Sequence, residues 1–457
     1  IDTIFTFSYT AQPSGTGVSF PALRHYINQF HSDSEAIDTG TMTLADVTLP
    51  SDVIMIARAG AYPLIAVTEY GAGRAVQWGS YDWMSHSILG PVSGLDDLVW
   101  RSIVWAARKP FVMQGLPPFV TFRMDDDAGP FTWVHTANDY GYKPWIGFFM
   151  NEIDATEAAD LSGLVVAGNA TASIHSFDGH TWFYYDHPAN TNFPDETVTS
   201  TFASGLTWHV NHNIPISKLV IAHYYELGSN VFAALSNTWG VEFVGMPIPP
   251  GQNYEGTSWL QNGPFRRYET GSATSARSSF YADYLEVPGH PELNNRIFNC
   301  LSEVRDVSGY DWYPYADDVP GAIGQGTAIL NRSLTSMKLA TLYTHYDQLL
   351  SISDANFRAM LAGINSNIAG FSPEFVTLDY ACQYVRAMHT SNIAQAAYDP
   401  ATRQLSVTLN GTTDMSTRFY VFTESAGVIT HTFAPVGQFS GSTTVNLTLD
   451  PTVTYSL

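Results

Sequence analysis

The chain has 457 residues, enough for two or three domains and a large core, and 45% of them are hydrophobic. Aromatic residues make up 14% and charged residues only 14%; the formal net charge is −22, with 20 Lys and Arg in all. That balance excludes nucleic-acid binding and argues against an anionic membrane surface, and no apolar run is long enough to span a bilayer.

Residues 1–112 open with strand-like and helix-like runs in turn. "TIFTFSY" reads as a strand and "FPALRHYINQFH" as an amphipathic helix. "SDVIMIARAG" reads as a buried strand, "GAGRAVQWGS" as a turn and strand, and "LDDLVWRSIVWAAR" as a helix. The alternation predicts an α/β unit with a parallel sheet. "KPFVMQGLPP", Lys109 to Pro118, reads as an irregular linker, because its prolines and glycine interrupt regular structure.

Residues 113–392 alternate again. The strand candidates are "FVTFRM", "KPWIGFFM", "TASIHSF", "KLVIAHYY", "EFVGMPI" and "LATLYTHY". Helical runs such as "GSNVFAALSNTWG" and "SDANFRAMLAGINSN" lie between them. This pattern predicts a (β/α) barrel with its active site at the C-terminal ends of the strands. An Asp run, His175, His223 and His345 all fall at such ends. Residues 393–457 show period-two runs separated by turns, which predicts a small antiparallel β-sandwich.

Four Asn-x-Ser/Thr sequons occur, at Asn169, Asn331, Asn410 and Asn446. With few lysines and a first residue, Ile1, that is not Met, they predict a processed, secreted glycoprotein. In such a compartment Cys300 and Cys382 read as one disulfide; two buried thiols are the plainer alternative.

Three motifs carry chemistry. In "RMDDDAG" an apolar strand ends in three carboxylates. An isolated Asp run is usually a solvated turn or a helix N-terminus. At the rim of a barrel it suits a division of labour, in which one carboxylate ligates a metal and its neighbour acts as general base. "SIHSFDGHTW" places His175 and His180 around a tight turn after another strand, and imidazole suits zinc. "ATLYTHYDQL" brings His345 to a strand end, with Asp347 two residues on, where it can act as general acid on a leaving amine. Core or surface histidines are the plainer reading of each. "HTWFYYDH", with Trp182 and Tyr184, and "GYDWYPY" suit the faces of sugar rings, although most aromatic residues fill cores.

The order of these motifs, over about Pro118 to His389, resembles that of the polysaccharide deacetylase (NodB-homology) family, and within it the fungal galactosaminogalactan deacetylase group. The resemblance implies that Asp125 is the base and His345, in "LYTH", the acid. Asp126, His175 and His180 would ligate a divalent metal, zinc by expectation. Leu342 would line the pocket. Arg123 or Arg266 would orient the base, and Asp311 with Trp312 would supply an Asp-Trp motif. "IAHYYELGSN" resembles the fungal group and puts His223 and Glu226 near the site. The chain departs from the family in the spacing of His175 and His180, five rather than four, and in carrying Asp127 where the family has glycine. The first segment resembles a class I glutamine amidotransferase-like fold. That chemistry needs a nucleophilic cysteine, none precedes Cys300, and the activity is excluded.

The resulting expectation is a secreted, metal-dependent enzyme that removes acetyl groups from a polysaccharide, such as galactosaminogalactan or a chitin-type chain. A glycoside hydrolase or lyase using a carboxylate pair without metal is one alternative. A catalytically silent carbohydrate-binding protein is another.

Overall fold

The computed structural model describes residues 8–80, 82, 95–189, 191–245, 282–285, 287, 290–300 and 312–450. The chain divides into two compact units: Leu116–His389, and a discontinuous unit made of Ile1–Gly115 and Thr390–Leu457. The segments 1–112 and 393–457, expected as separate domains, therefore share one unit.

The N-terminal part of the discontinuous unit is not the expected parallel α/β sheet. Its five-stranded sheet runs in the order Ala36–Thr43, Ser14–Ser19, Ile54–Ala59, Tyr62–Tyr70, Gly73–Trp78, and every neighbouring pair is antiparallel. Two connections are only two residues long, since Ala59 pairs with Tyr62 and Tyr70 with Gly73. A parallel crossover needs a dozen or more residues, so these turns force hairpins. Gly60 and Gly71 sit at φ +59° and +61°, a backbone conformation that glycine adopts without steric cost.

The stretch "FPALRHYINQFH", expected as a helix, forms turns. Asn28 explains this locally. Its Oδ1 accepts from the His25 N–H at 2.8 Å, and its Nδ2 donates to the carbonyls of Leu23 and Ile56 at 3.2 Å. Side-chain bonds of this kind give the backbone an alternative to the helix. The expected linker also has structure: Phe111–Met113 is a strand that pairs antiparallel with Thr417–Ser425. The five C-terminal strands, with Phe111–Met113 as a sixth, form two three-stranded antiparallel sheets whose apolar residues, Val407, Leu409, Phe419 and Val421 among them, share one cluster.

His31 anchors the N-terminal segment. It is buried, with Nδ1 at 3.1 Å from Glu35 and Nε2 at 3.0 Å from Asp97. Burial alone would lower its pKa, but hydrogen bonds to Asp97 and Glu35 and the charges of both carboxylates lift it to about 9. The unfolded value is near 6.5, so this contribution to stability is complete below pH 6.5 and is lost as pH rises through about 9. The thermal midpoint should fall across that window, and His31→Gln should flatten the fall. Parallel pH profiles for the two proteins would exclude this role.

The second unit carries the predicted chemistry. Its elements are labelled here in chain order. Phe119–Asp127 (β1), Trp145–Phe149 (β2) and Thr171–Ser176 (β3) alternate with helices Thr132–Asp139 (α1), Ala155–Val166 (α2) and Asp195–Asn211 (α3). Leu219–Val220 (β4), Phe232–Thr238 (α4), Phe243–Val244 (β5), Asp283–Tyr284 (β6) and Phe298–Asn299 (β7) follow. Then come Val319–Thr335 (α5), Ala340–His345 (β8), Tyr346–Leu349 (α6), Asp354–Ile368 (α7), Glu374–Phe375 (β9) and Leu378–His389 (α8).

The main sheet runs β3-β2-β1-β8, with β9 also pairing β1, and all of its pairs are parallel. A second sheet runs β4-β5-β7-β6, and only its β6–β7 pair is antiparallel. Among the described residues the strands form these two sheets rather than one closed ring. Parallel strands buried on both faces read as continuous apolar runs, which is why β1, β2, β3 and β8 stood out in the sequence.

Alternation along β1 and β8 sorts their side chains. Phe122, Met124 and Leu342 enter the main apolar core with Ile146, Ile174 and Leu361. Arg123, Asp125, Tyr343 and His345 share the other face, in register: Tyr343 lies opposite Arg123 and His345 opposite Asp125. Cys300 and Cys382 are free thiols rather than a disulfide. They are buried in a cluster with Trp145, Leu219, Phe243 and Phe298. Burial, with Cys300 alongside, pushes the Cys382 thiol well up.

Candidate active site

Asp126 takes a left-handed backbone conformation, φ 58°, at the C-terminal end of β1. Aspartate is one of the few non-glycine residues that enter this region, as single residues in turns. The turn breaks the strand's alternation, so the three aspartates point to three different environments.

Asp126 faces two imidazoles. Its Oδ1 lies 3.2 Å from His175 Nε2 and 2.9 Å from His223 Nδ1. The donor atoms of these three residues all fall within 4.8 Å of one another. Among the described residues, Asp126 Oδ1 is nevertheless buried with no well-aligned hydrogen bond, and His223 Nε2 is buried with none. A buried carboxylate oxygen in that state is costly unless something else satisfies it. His175 Nδ1 is 2.8 Å from the Ile221 carbonyl, an arrangement that puts the proton on Nδ1 and leaves the Nε2 lone pair toward Asp126. Two imidazole nitrogens and one carboxylate oxygen are the donor set of a catalytic zinc site with positions left for water and substrate. Burial would raise the Asp126 carboxyl, but its contacts with His175 and His223 hold it far below the usual range.

The third residue of the cluster is His223, which the sequence places near the site, and His180 stands outside the cluster. His180 is exposed, and its backbone N–H donates to Asp178 within the turn. His223 arrives from the segment after β4. Tyr224 and Tyr225, which follow it, are both left-handed, at φ 56° and 59°. Two such tyrosines in a row aim three side chains in three directions.

Asp125 is held separately. Arg123 Nε donates to its Oδ1 at 2.7 Å, and Arg123 Nη2 donates to its Oδ2. Of the two arginines expected to orient the base, the structure brings Arg123 to it; Arg266 lies outside the described residues. Arg123 is itself fully buried, over the Tyr343 ring at 4.1 Å and the Tyr225 ring at 5.1 Å. Burial would raise the Asp125 carboxyl, and the Arg123 charge, with His175 and His345, brings it below its ordinary value. Asp125 is thus ionised and able to accept a proton. His345 stands opposite it on β8, its Nε2 3.0 Å from the Tyr343 hydroxyl.

Asp127 belongs to neither pair. Its carboxylate accepts from the Gly129 N–H at 2.8 Å and from Trp133 Nε1 at 2.9 Å, holding the turn into α1. It is fully buried, and burial pushes it up to about 7 in spite of those bonds.

Three residues expected to touch substrate are core residues. Leu342 is fully buried in the main cluster because it points to the opposite face of β8 from His345. Trp312 is fully buried against Phe122 and Phe357, with Nε1 donating to the Ala322 carbonyl. Tyr184 is buried among Phe183, Phe202 and Trp239, with its hydroxyl donating to the Ile174 carbonyl. Asp311 lies outside the described residues. Asp347 is exposed.

Trp182 remains at a partly open position. It stacks on His187 at 4.7 Å, and His187 stacks on Tyr224 at 5.1 Å, so the pile ends beside His223. Glu226 lies beneath, with both carboxyl oxygens 3.0 Å from His187 Nδ1. Burial pushes Glu226 up to about 8 and His187 down, so the pair is a neutral hydrogen bond more than an ion pair.

Sequence reasoning missed that His223 joins the cluster of Asp126 and His175, and missed the hydroxyls of Tyr225 and Tyr343. For His223 a signal existed. "LVIAH", "TASIH" and "TLYTH" are all apolar runs that end in histidine.

No protein-family model matches the chain, and no curated protein matches it. Among solved structures, it is similar to a family 4 carbohydrate esterase from Streptomyces lividans in complex with acetate, at 10% identity and a TM-score of 0.31, covering 56% of this chain and 91% of that one. It is also similar to the Bc1960 peptidoglycan N-acetylglucosamine deacetylase, at 12% identity and a TM-score of 0.29, covering 59% and 90%. A third is a mutant of BA3943, a CE4 family pseudoenzyme with restored activity, at 10% identity and a TM-score of 0.26, covering 60% and 70%. These are likenesses of backbone arrangement, and the functional reading rests on the site itself.

Proposed function

We propose that the chain is a metal-dependent deacetylase of acetylated amino-sugar polysaccharides. The observation that carries this reading is the pairing of a two-histidine, one-aspartate cluster with a second carboxylate, Asp125, that an arginine keeps out of the cluster. Asp126, His175 and His223 would hold the metal, zinc by the chemistry of the donor set. A divalent cation there would polarise the acetyl carbonyl and acidify water. Asp125, ionised and beside Asp126 in the chain, would take the proton from the attacking water. His345 would deliver a proton to the amine as the C–N bond breaks. Acetate and a free amino sugar are the products. Trp182, at the rim, would offer its ring to a pyranose face.

The polymer we favour is rich in galactosamine, on the family resemblance alone. Secretion is part of the same proposal. Asn169, Asn410 and Asn446 are exposed, as glycan acceptors must be, while Asn331 is half-buried.

The test is acetate release from N-acetylated galactosamine and glucosamine oligomers. Acetate should appear in step with new amines, stop with a chelator and return with zinc. New reducing ends without acetate would mean a glycoside hydrolase. Neither product, with metal bound, would mean a silent carbohydrate-binding protein.

A further inference from the structure

We infer that the Tyr343 hydroxyl sets the tautomer of His345, and so decides which ring nitrogen exchanges a proton with substrate. The catalytic meaning rests on the deacetylase reading; the hydrogen-bond order does not. Tyr343 and His345 lie two residues apart on one face of β8, with ring centroids 5.2 Å apart. Among the described residues, Tyr343 Oη meets His345 Nε2 at 3.0 Å, Asp125 Oδ2 at 3.3 Å and Tyr225 Oη at 3.3 Å.

A phenol has one hydrogen to give and two lone pairs to receive. Tyr225 Oη accepts from Arg123 Nη2 at 3.1 Å and passes its own hydrogen to Tyr343. Two acceptors then compete for the single Tyr343 hydrogen. Asp125 is a carboxylate and the imidazole is neutral, and a charged acceptor makes the stronger bond. The hydrogen goes to Asp125. The Tyr343 oxygen can then meet His345 Nε2 only by accepting from it, so Nε2 carries the proton. Donation runs from Arg123 through Tyr225 and Tyr343 to Asp125, which accepts at the end, and Arg123 closes the loop by donating to Asp125 directly. Tyr343 is 1% exposed and Tyr225 4%, so little water competes for these bonds.

With Nε2–H fixed by Tyr343, the proton that His345 gains and loses sits on Nδ1. Tyr343 is thus a positioning residue. It touches the acid and the base together and keeps their protons from being exchanged with each other in place of the substrate.

The experiment is two-bond 1H–15N correlation NMR on the full chain labelled at histidine, at a pH where His345 is neutral. The His345 signal is identified by its loss in His345→Gln. Wild type should show the Nε2–H tautomer, and Tyr343→Phe should shift the signal toward Nδ1–H. Asp125→Asn, which removes the charged acceptor of the Tyr343 hydrogen, should free that hydrogen for His345 Nε2, shift the signal in the same direction, and serves if Tyr343→Phe does not fold. In the acetate assay Tyr343→Phe should lower kcat by on the order of 10²-fold with KM unchanged. An Nδ1–H tautomer in wild type, or identical signals in all three proteins, would overturn the inference whether or not acetate is released. Absence of acetate with the expected tautomers would instead count against the deacetylase reading alone.

Discussion

His223→Ala should strip the protein of its bound divalent metal, whereas His180→Ala should leave it fully loaded. The contrast follows from position. His223 Nδ1 lies 2.9 Å from Asp126 Oδ1, and His180 sits on an exposed turn. Loss of a residue that merely supports a ligand weakens metal binding by about 10–100-fold. Loss of one of only three protein ligands should do more. Elemental analysis after dialysis, with Asp126→Ala and His175→Ala alongside, reads the result. Metal retained in His223→Ala and lost in His180→Ala would restore the assignment expected from the sequence.

Asp125→Asn should keep the metal and lower turnover by about 10²–10⁴-fold, the usual contribution of a positioned general base. The amide is nearly isosteric and cannot take the proton. The same change removes the carboxylate that faces a fully buried Arg123, which typically costs about 3–5 kcal/mol. Metal content and a folded circular dichroism spectrum must therefore accompany the rate. Acetate release at the wild-type rate would move the base to another residue. Asp127 is a poor candidate for it, since it is fully buried and occupied by Gly129 and Trp133.

The sequence made the site's strands legible and left its third dimension hidden. β1, β3 and β8 stood out because buried parallel strands are apolar runs, and a polar residue at their ends is conspicuous. His180 is the expected ligand because it shares a tight turn with His175 and the family resemblance calls for a second histidine there. In the structure the cluster is completed by His223, two residues after Ile221, whose carbonyl meets His175 across 46 residues of sequence. No local spacing encodes that approach. Trp312, Tyr184 and Leu342 failed for a related reason: an aromatic or leucine near a motif carries no mark of whether it packs into the core or lines the site. In the first segment the opposite error occurred. "YGAGR" already contained a two-residue hairpin turn, and the apparent alternation of strands and helices outweighed it.

The discontinuous unit has a consequence for how the protein is made. Arg74 donates to Glu424 through two bonds, 2.8 and 2.6 Å long, between residues 350 positions apart. Phe111–Met113 likewise waits for Thr417–Ser425 to complete its sheet. On the ribosome, the early half of this unit emerges long before its partner strands exist. Leu116–His389 is synthesised whole in the interval and can fold first. The unit that is begun first is thus finished last. Until then the nascent chain exposes unpaired strand edges and the apolar residues Val112 and Phe111, surfaces that a holding chaperone would recognise. A stop codon after His389 would damage the residues before Gly115 as much as those it removes.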